Sequence, residues 1–237
     1  MSLRIVVLDG KYANPGDLSW DQLIKHGDLK VYEQTSIDQV IDRSKEADIL
    51  IINKVKLGDE QFHQLPNLKL IIISATGMDN VDLNAAHARK IQVKNVSGYS
   101  TISVAQHTFS LLLELTNQVA RHSQSVKDGE WDQDKGFCYT LKPIPELSEL
   151  TLAVIGYGQI GRAVAKLGKA FGMDIMVVSE HSQSLSEYEL VSLEDAFQSA
   201  DVISLHWPLT NERKGIINKD LLTLMKPGSF LINTARG

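Results

Sequence analysis

Short runs of apolar, largely β-branched residues recur along the chain: Ile5 to Leu8, Leu29 to Tyr32, Ile49 to Ile52, Leu70 to Ile73, Ile91 to Val93, Leu152 to Ile155, Ile175 to Val178, Val202 to Leu205 and Phe230 to Ile232. Short, predominantly apolar runs are the pattern of strands covered on both faces, so each run predicts a buried strand. Helical patterns lie between them, opened by Ser19 with Gln22, Ser36 with Gln39 and Ser192 with Asp195. Each pair sets a side-chain acceptor ahead of a reciprocating or acidic partner, which is how a helix start satisfies its free N–H groups. Alternation of strand and helix predicts an α/β fold with mostly parallel sheets, because parallel neighbours need long crossovers.

Two sheets are expected. A long apolar helical run from about Ser100 to Val119, then an irregular stretch from Lys127 to Leu147 carrying Trp131, Phe137 and Tyr139, separates the first five strands from the last four. A boundary near residue 100 therefore divides a first domain, 1–100, from a second, 101–237. The segment Ile102 to Leu115 is interrupted by Gln106, His107 and Glu114, short of the roughly 18–20 apolar residues a membrane span needs. It reads instead as a deeply buried helix with His107 as a hydrogen-bonded core residue. Being apolar on nearly every side, it suits burial within one subunit or a subunit interface, and exposed aromatics in the following stretch would favour a partner, namely a homodimer.

Composition narrows the picture. With 43% apolar and 22% charged residues in 237, the chain can bury a sizeable core, and its net charge of −5 offers no basic face for nucleic acid. A single cysteine, Cys138, cannot form an intramolecular disulfide, and the first residues lack a charged-then-apolar leader pattern. A reducing, cytoplasmic setting is the expectation, with no metal site.

The most informative segment begins at Leu152. Strand-like Leu152 to Ile155 runs into Gly156-Tyr157-Gly158-Gln159-Ile160-Gly161, and Arg162 to Phe171 then reads as a helix. Gly156 would permit the tight turn, Gly158 would let the backbone approach a pyrophosphate, and Gly161 would let helix and strand pack closely. The pyrophosphate would rest on the helix start, where free N–H groups and the positive dipole end meet it. At the end of the next strand, an acid would accept the ribose hydroxyls and repel a 2′-phosphate. The simplest register puts Ser179 in that slot with Glu180 one position later, so NAD is favoured and NADP, which Ser179 with His181 would tolerate, stays open.

Four further stretches complete a pattern: Ala75 to Asp82, Ser103 to His107, His206 to Thr210, and Met225 to Gly237. Together with the glycine loop they resemble the D-isomer-specific 2-hydroxyacid dehydrogenases, and the Trp131 and Phe137–Tyr139 stretch looks most like the glycerate dehydrogenase (hydroxypyruvate reductase) branch. The resemblance covers the whole chain. It implies a flavodoxin-like substrate (catalytic) domain facing a Rossmann-type dinucleotide-binding domain across a cleft, and NAD(P)-dependent hydride transfer at C2 of a small 2-keto acid or D-2-hydroxy acid, with hydroxypyruvate and glyoxylate as the substrates.

By the same resemblance, Ala75, Thr76 and Gly77 form the loop for the substrate carboxylate, with Lys54 as a further substrate contact or a solvated lysine. Arg236 is the catalytic arginine, whose guanidinium can hold the carboxylate bidentately and polarise the C2 carbonyl. Val104, Gln159 and Ile160 join the coenzyme set, Thr234 and Ala235 lie beside the nicotinamide ribose, and His206 and Pro208 flank the adenosine side. His206 follows a cofactor-side strand and is expected to be structural, not a proton donor.

The family's proton relay, a histidine held by a glutamate, follows the arginine in chain order, and a positioned histidine contributes roughly 10²- to 10⁴-fold in rate. With the chain ending at Gly237 and an edge left open at Phe230 to Ile232, the expectation is an incomplete copy of a longer enzyme, its nucleotide domain unfinished. Arg213 stands where the family more often has threonine, with no loss of chemistry expected. Two other readings compete: a co-repressor-like binding protein that senses the coenzyme, and an inactive fragment that retains coenzyme affinity.

Overall fold

The computed structural model describes residues 2–132, 136–180, 187–210 and 212–236. The chain divides into two compact units, Met1–Tyr99 and Ser100–Gly237.

In the first unit the strands are β1 (Leu3–Val7), β2 (Gly27–Val31), β3 (Ile49–Ile52), β4 (Leu70–Ile73) and β5 (Gln92–Asn95). Short helices α1 (Gly10–Ala13), α2 (Asp21–Ile24), α3 (Val40–Ser44), α4 (Asp59–His63) and α5 (Leu83–Ala88) make the connections. All pairings are parallel, in the order β2-β1-β3-β4-β5, the flavodoxin-like arrangement. The unbroken apolarity of the central strands has its reason in two-sided cover. Val6, Leu8, Leu50, Ile52, Ile71 and Ile73 pack with Val40, Phe62 and Ala86 on one face, and Ile5, Val7 and Ile51 meet Trp20 and Leu23 on the other.

The edge strands differ from the sequence expectation. β2 and β5 are largely exposed or half-exposed rather than buried, because each has a neighbour on one side only and helices cover mainly the centre of the sheet. Two helix starts are also adjusted. Ser19 Oγ accepts from Asp21 N at 3.1 Å, but Trp20 is the N-cap of α2. Ser36 and Gln39 do form a reciprocal box, though on a short 3₁₀ turn, Ile37–Gln39, that leads into α3.

The second unit opens with α6 (Thr101–Asn117) and α7 (Val119–Lys127). Its strands β6 (Thr151–Ile155), β7 (Asp174–Val178), β8 (Glu189–Leu190), β9 (Val202–Leu205) and β10 (Phe230–Asn233) alternate with α8 (Gln159–Ala170), α9 (Leu193–Ser199) and α10 (Lys219–Leu222). The order β10-β9-β6-β7-β8 is again all parallel and is the Rossmann 3-2-1-4-5 arrangement. The expected Ser192 start holds: its hydroxyl accepts from Asp195 N at 3.0 Å and caps α9. β8 was not expected, since two exposed residues carry no hydrophobic run. β10 lies at the edge of the described sheet and, expected as a buried strand, buries only Ile232, for the same one-sided reason as β2 and β5.

Helices cover both faces here too. α6 and α8 bring Ala105, Phe109, Leu112, Val164 and Ala165 onto Leu152, Val154 and Val177, and Phe109 stacks on Phe171 at 5.2 Å. On the opposite face Ala196, Phe197 and Leu221 meet Ala153, Ile155 and Ile203.

The helix expected from Ser100 to Val119 is corrected in two respects. It breaks at Gln118, whose left-handed backbone, φ 49° and ψ 46°, ends α6 and starts α7. Nor is it deeply buried all round: Ala105, Thr108, Phe109, Leu112 and Thr116 form a single buried stripe, as a 3.6-residue period dictates. Ile102 is 73% exposed, and His107, expected in the core, lies on the exposed side. Among the described residues, no helix is long and apolar enough to cross a membrane, and no cluster of three His, Cys, Asp or Glu side chains is placed to hold a metal.

Candidate coenzyme and substrate sites

In the second unit, β6 is flanked by β7 on one side and β9 on the other, so the chain reverses its direction of winding at the β6–β9 junction. The carboxyl ends of strands at such a switch point form a crevice. Gly156 follows β6 there with φ +98°, a conformation that disfavours any side chain, and donates its N–H to Val178 O at 2.9 Å. A Cβ at this position would meet Trp207 Cδ1 at 2.7 Å and the His206 backbone at 2.9 Å. A Cβ on Gly161 would stand 2.0 Å from Gly156 O and 3.2 Å from Val154 Cγ1, so only glycine lets α8 sit this close to its strand. Gly158 is different: a Cβ there would point into open space. That open volume lies at the start of α8, whose first turn carries neither a side-chain cap nor an acidic residue. The arrangement fits an anionic diphosphate, since the N–H groups of Gln159, Ile160 and Gly161 start the helix and the dipole is positive there.

The surrounding residues converge on this turn. Thr101 Oγ1 donates to Gln159 Oε1 at 3.4 Å, bringing the start of α6 beside the start of α8, with half-buried Val104 one turn further on. Val104 O accepts from Thr108 Oγ1 at 2.9 Å, and Thr108 Oγ1 lies 3.3 Å from Thr234 Oγ1. After β10, Asn233 holds its turn together: its side chain accepts from Ala235 N at 2.9 Å and donates to Arg236 O at 3.1 Å. Arg236 is exposed, and with Ala235, Trp207, Pro208 and Arg213 it lines a small cavity of about 60 Å³ at the ends of β6 and β9.

His206 is fixed rather than free. Its Nε2 lies 2.8 Å from the fully buried Ser204 Oγ and its Nδ1 3.5 Å from Thr234 Oγ1, while its backbone N–H donates to Ile155 O at 2.7 Å. Burial pushes its pKa down to about 4, so it is neutral at physiological pH. At the end of β7, Ser179 is half-buried and Glu180 exposed. Glu180 pairs with the guanidinium of Arg213, a contact that sequence reasoning missed. His181, the other residue considered for the ribose, lies outside the described residues.

In the first unit the switch point falls between β1 and β3. Its crevice is filled by the chain itself: the buried Asp9 carboxylate accepts N–H groups from Asn53 at 2.7 Å, from Lys54, and from Val55 at 3.1 Å. Asn80 Nδ2 donates to Val55 O at 2.9 Å, and Asn53 Nδ2 to Ser74 O at 2.9 Å, tying this turn to the next. Lys54 is exposed beyond the tied backbone. At Ala75-Thr76-Gly77 the carbonyls are engaged, with Val96 N donating to Ala75 O at 3.2 Å and Asn95 Nδ2 to Thr76 O at 2.7 Å. Among the described residues no acceptor takes the N–H groups of Thr76 and Gly77, so these donors remain for an anion. A larger open depression of about 670 Å³ runs along β5 past His87, Lys90 and Lys94, and none of the expected site residues lines it.

A glycine-rich turn opening a helix at the switch point of a 3-2-1-4-5 parallel sheet defines a Rossmann-type nucleotide-binding fold. Comparison with known proteins makes this specific: residues 109–237 match the family described as D-isomer specific 2-hydroxyacid dehydrogenase, NAD binding domain. The chain belongs to the D-isomer specific 2-hydroxyacid dehydrogenases. It is 38% identical over 241 residues to the hydroxypyruvate reductase of Blautia hydrogenotrophica, an alignment spanning 99% of this chain and 75% of that protein. Its fold is similar to the D-lactate dehydrogenase of Aquifex aeolicus complexed with NAD and lactic acid, with TM-score 0.85, 34% identity, and coverage of 99% and 69%. An acyclic imino acid reductase in complex with NADPH and D-arginine is similar with TM-score 0.88, 28% identity, and coverage of 99% and 75%.

Proposed function

We propose that this chain carries out NAD(P)H-dependent reduction of small 2-keto acids to D-2-hydroxy acids, with hydroxypyruvate and glyoxylate as substrates giving D-glycerate and glycolate. The observation that carries the reading is the open volume at Gly158 over the uncapped start of α8. Gly156, Gly158, Gln159, Ile160 and Gly161 would hold the diphosphate, with Val104, Thr234 and Ala235 on the nicotinamide side. Ser179, Glu180, His206 and Pro208 take the adenosine side. When bound, the nicotinamide supplies the hydride.

The chain's own residues supply binding and polarisation. Thr76 and Gly77 offer free N–H donors to the substrate carboxylate, with Ala75 framing the turn and Lys54 adding a positive charge. Arg236 grips the carboxylate and draws electron density from the C2 carbonyl, where a guanidinium's paired N–H groups hold two oxygens at once. Completing the alcohol at C2 would also take one proton, which solvent water would supply. His206, neutral and anchored to Ser204, does not provide it.

The assembly we propose is a homodimer in the cytoplasm. Leu111, Leu115, Val119, Val126 and Trp131 are exposed along α6, α7 and the following stretch, and Phe137 is 98% exposed, apolar side chains that a second copy of the chain would cover.

The protein should oxidise NADH when given hydroxypyruvate, and Arg236→Ala should abolish this while leaving NADH binding within about threefold. Firm coenzyme binding without turnover on any 2-keto acid would favour the coenzyme-sensing reading instead. Light scattering that returns a monomer mass would remove the dimer.

A further inference from the structure

We infer that Arg213 determines how this chain reads the 2′ position of the adenosine ribose, and that its pairing with Glu180 opens the site to coenzymes with a 2′-phosphate. The inference rests on the proposal that the glycine turn holds a nicotinamide dinucleotide.

A lone carboxylate at the end of the second strand accepts ribose hydroxyls and repels a phosphate. Glu180 occupies that end of the sheet, but its Oε2 accepts from Arg213 Nη2, so the repelling charge is offset where it would act. Arg213 reaches this place from beyond β9, on the other side of the switch point, and also lines the cavity at the ends of β6 and β9.

The two partners are held unequally. Arg213 has a side chain only 17% exposed, lies 5.0 Å over the Trp207 ring and donates to Pro208 O at 3.4 Å. Glu180 is 52% exposed. An incoming 2′-phosphate would therefore find the guanidinium in place and displace the carboxylate toward water, exchanging one set of acceptor oxygens for another. With a free ribose, the hydroxyl donates to Glu180 and Arg213 steadies the acceptor. Neighbouring Glu212 has its carboxylate pKa lowered by the Thr210 side chain, by its own backbone N–H and, less, by the charge of Arg213, while the direct ion pair of Arg213 is with Glu180.

The test is a fluorescence titration of NADH and NADPH, with 2′-AMP as a competing probe, on the chain and on R213T, R213K and E180Q. The unmodified chain should bind the two coenzymes within about tenfold of one another. R213T should weaken NADPH and 2′-AMP by roughly tenfold or more, the effect of losing a charge-assisted hydrogen bond, and NADH by less than about threefold. R213K, which keeps the charge but loses the planar guanidinium over Trp207, should fall between, and E180Q should weaken NADH while sparing NADPH. An R213T variant that melts like the parent and keeps the parent's NADH-to-NADPH ratio would overturn the role of Arg213 alone. Failure of the unmodified chain to bind either coenzyme would overturn the glycine-turn reading, and this inference with it.

Discussion

Gly156 and Gly161 touch through backbone: a Cβ on Gly161 would stand 2.0 Å from the Gly156 carbonyl oxygen, closer than any side-chain carbon can approach. The contact is what lets α8 start against its own strand, and it makes Gly161 a structural requirement as much as a binding one. Gly161→Ala should lower the unfolding free energy by about 1–3 kcal/mol, the cost of forcing extra volume into a packed contact. Urea denaturation measures this, and an unchanged midpoint would show that α8 can shift without penalty.

Gly158 separates binding from folding. Nothing stands within 4 Å of a Cβ there, and its φ of −82° is open to any residue. Gly158→Ala should therefore unfold with the parent midpoint yet bind NADH at least tenfold more weakly, because the methyl would occupy the approach to the helix start. Titrating both variants distinguishes the two glycines. If Gly158→Ala binds NADH as the parent does, the diphosphate does not rest at this turn.

Much of the fold is legible in sequence because central parallel strands are apolar on both faces, and Leu152 to Ile155 and Leu70 to Ile73 are apolar runs too short for a buried helix. Edge strands depart from this rule: β2 and β5 are predicted as strands but bury less than their pattern implies, and two-residue β8 leaves no apolar run at all. The long helix misleads for a related reason. Its composition is apolar, but its period places Thr108 and Thr116 inside and Ile102 and Leu115 outside. In the candidate site, glycine spacing is a local signal and can be read directly. The Glu180–Arg213 pair joins residues 33 apart in the chain, and Asp9 reaches Asn53 across 44, so both exist only once the strand order is known. A lone acid directly after the apolar run Ile5 to Leu8 was the one available hint of the latter.

Asp9 acts as an internal anion. Three backbone N–H groups converge on its carboxylate, and it is 2% exposed. Asp9→Asn keeps the shape but turns an acceptor into a donor facing donors, which leaves buried N–H groups unsatisfied at a cost of about 2 kcal/mol. The loss should appear in urea denaturation and be accompanied by a higher KM for hydroxypyruvate, since the Asn53–Val55 turn carries Lys54. A variant as stable as the parent would mean that water replaces the carboxylate without penalty.

Acid sensitivity should come first from His206. Its folded-state pKa of about 4 lies below the ordinary 6.5, so between these values the unfolded chain binds the extra proton and the folded one does not. The stability it contributes is complete above pH 6.5 and is lost as the pH falls toward 4. Between pH 7 and pH 5 this amounts to about 2 kcal/mol. Two carboxylates act in the same direction but lower, because their pKa values are depressed below 3.8. Asp48 is held down by the Arg4 backbone N–H and then Lys69; for Asp201, burial alone would raise the value, but Lys226 and the Thr151 N–H outweigh it. Their contribution is intact at pH 5 and lost only as the pH falls through their folded values. His206→Gln, which retains a polar partner for Ser204, should therefore flatten the stability profile between pH 7 and pH 5 while leaving the steeper acid limb below pH 4 in place. Urea midpoints at closely spaced pH values test this, and a variant whose profile parallels the parent's over the upper interval would show that the buried imidazole is not the group that titrates.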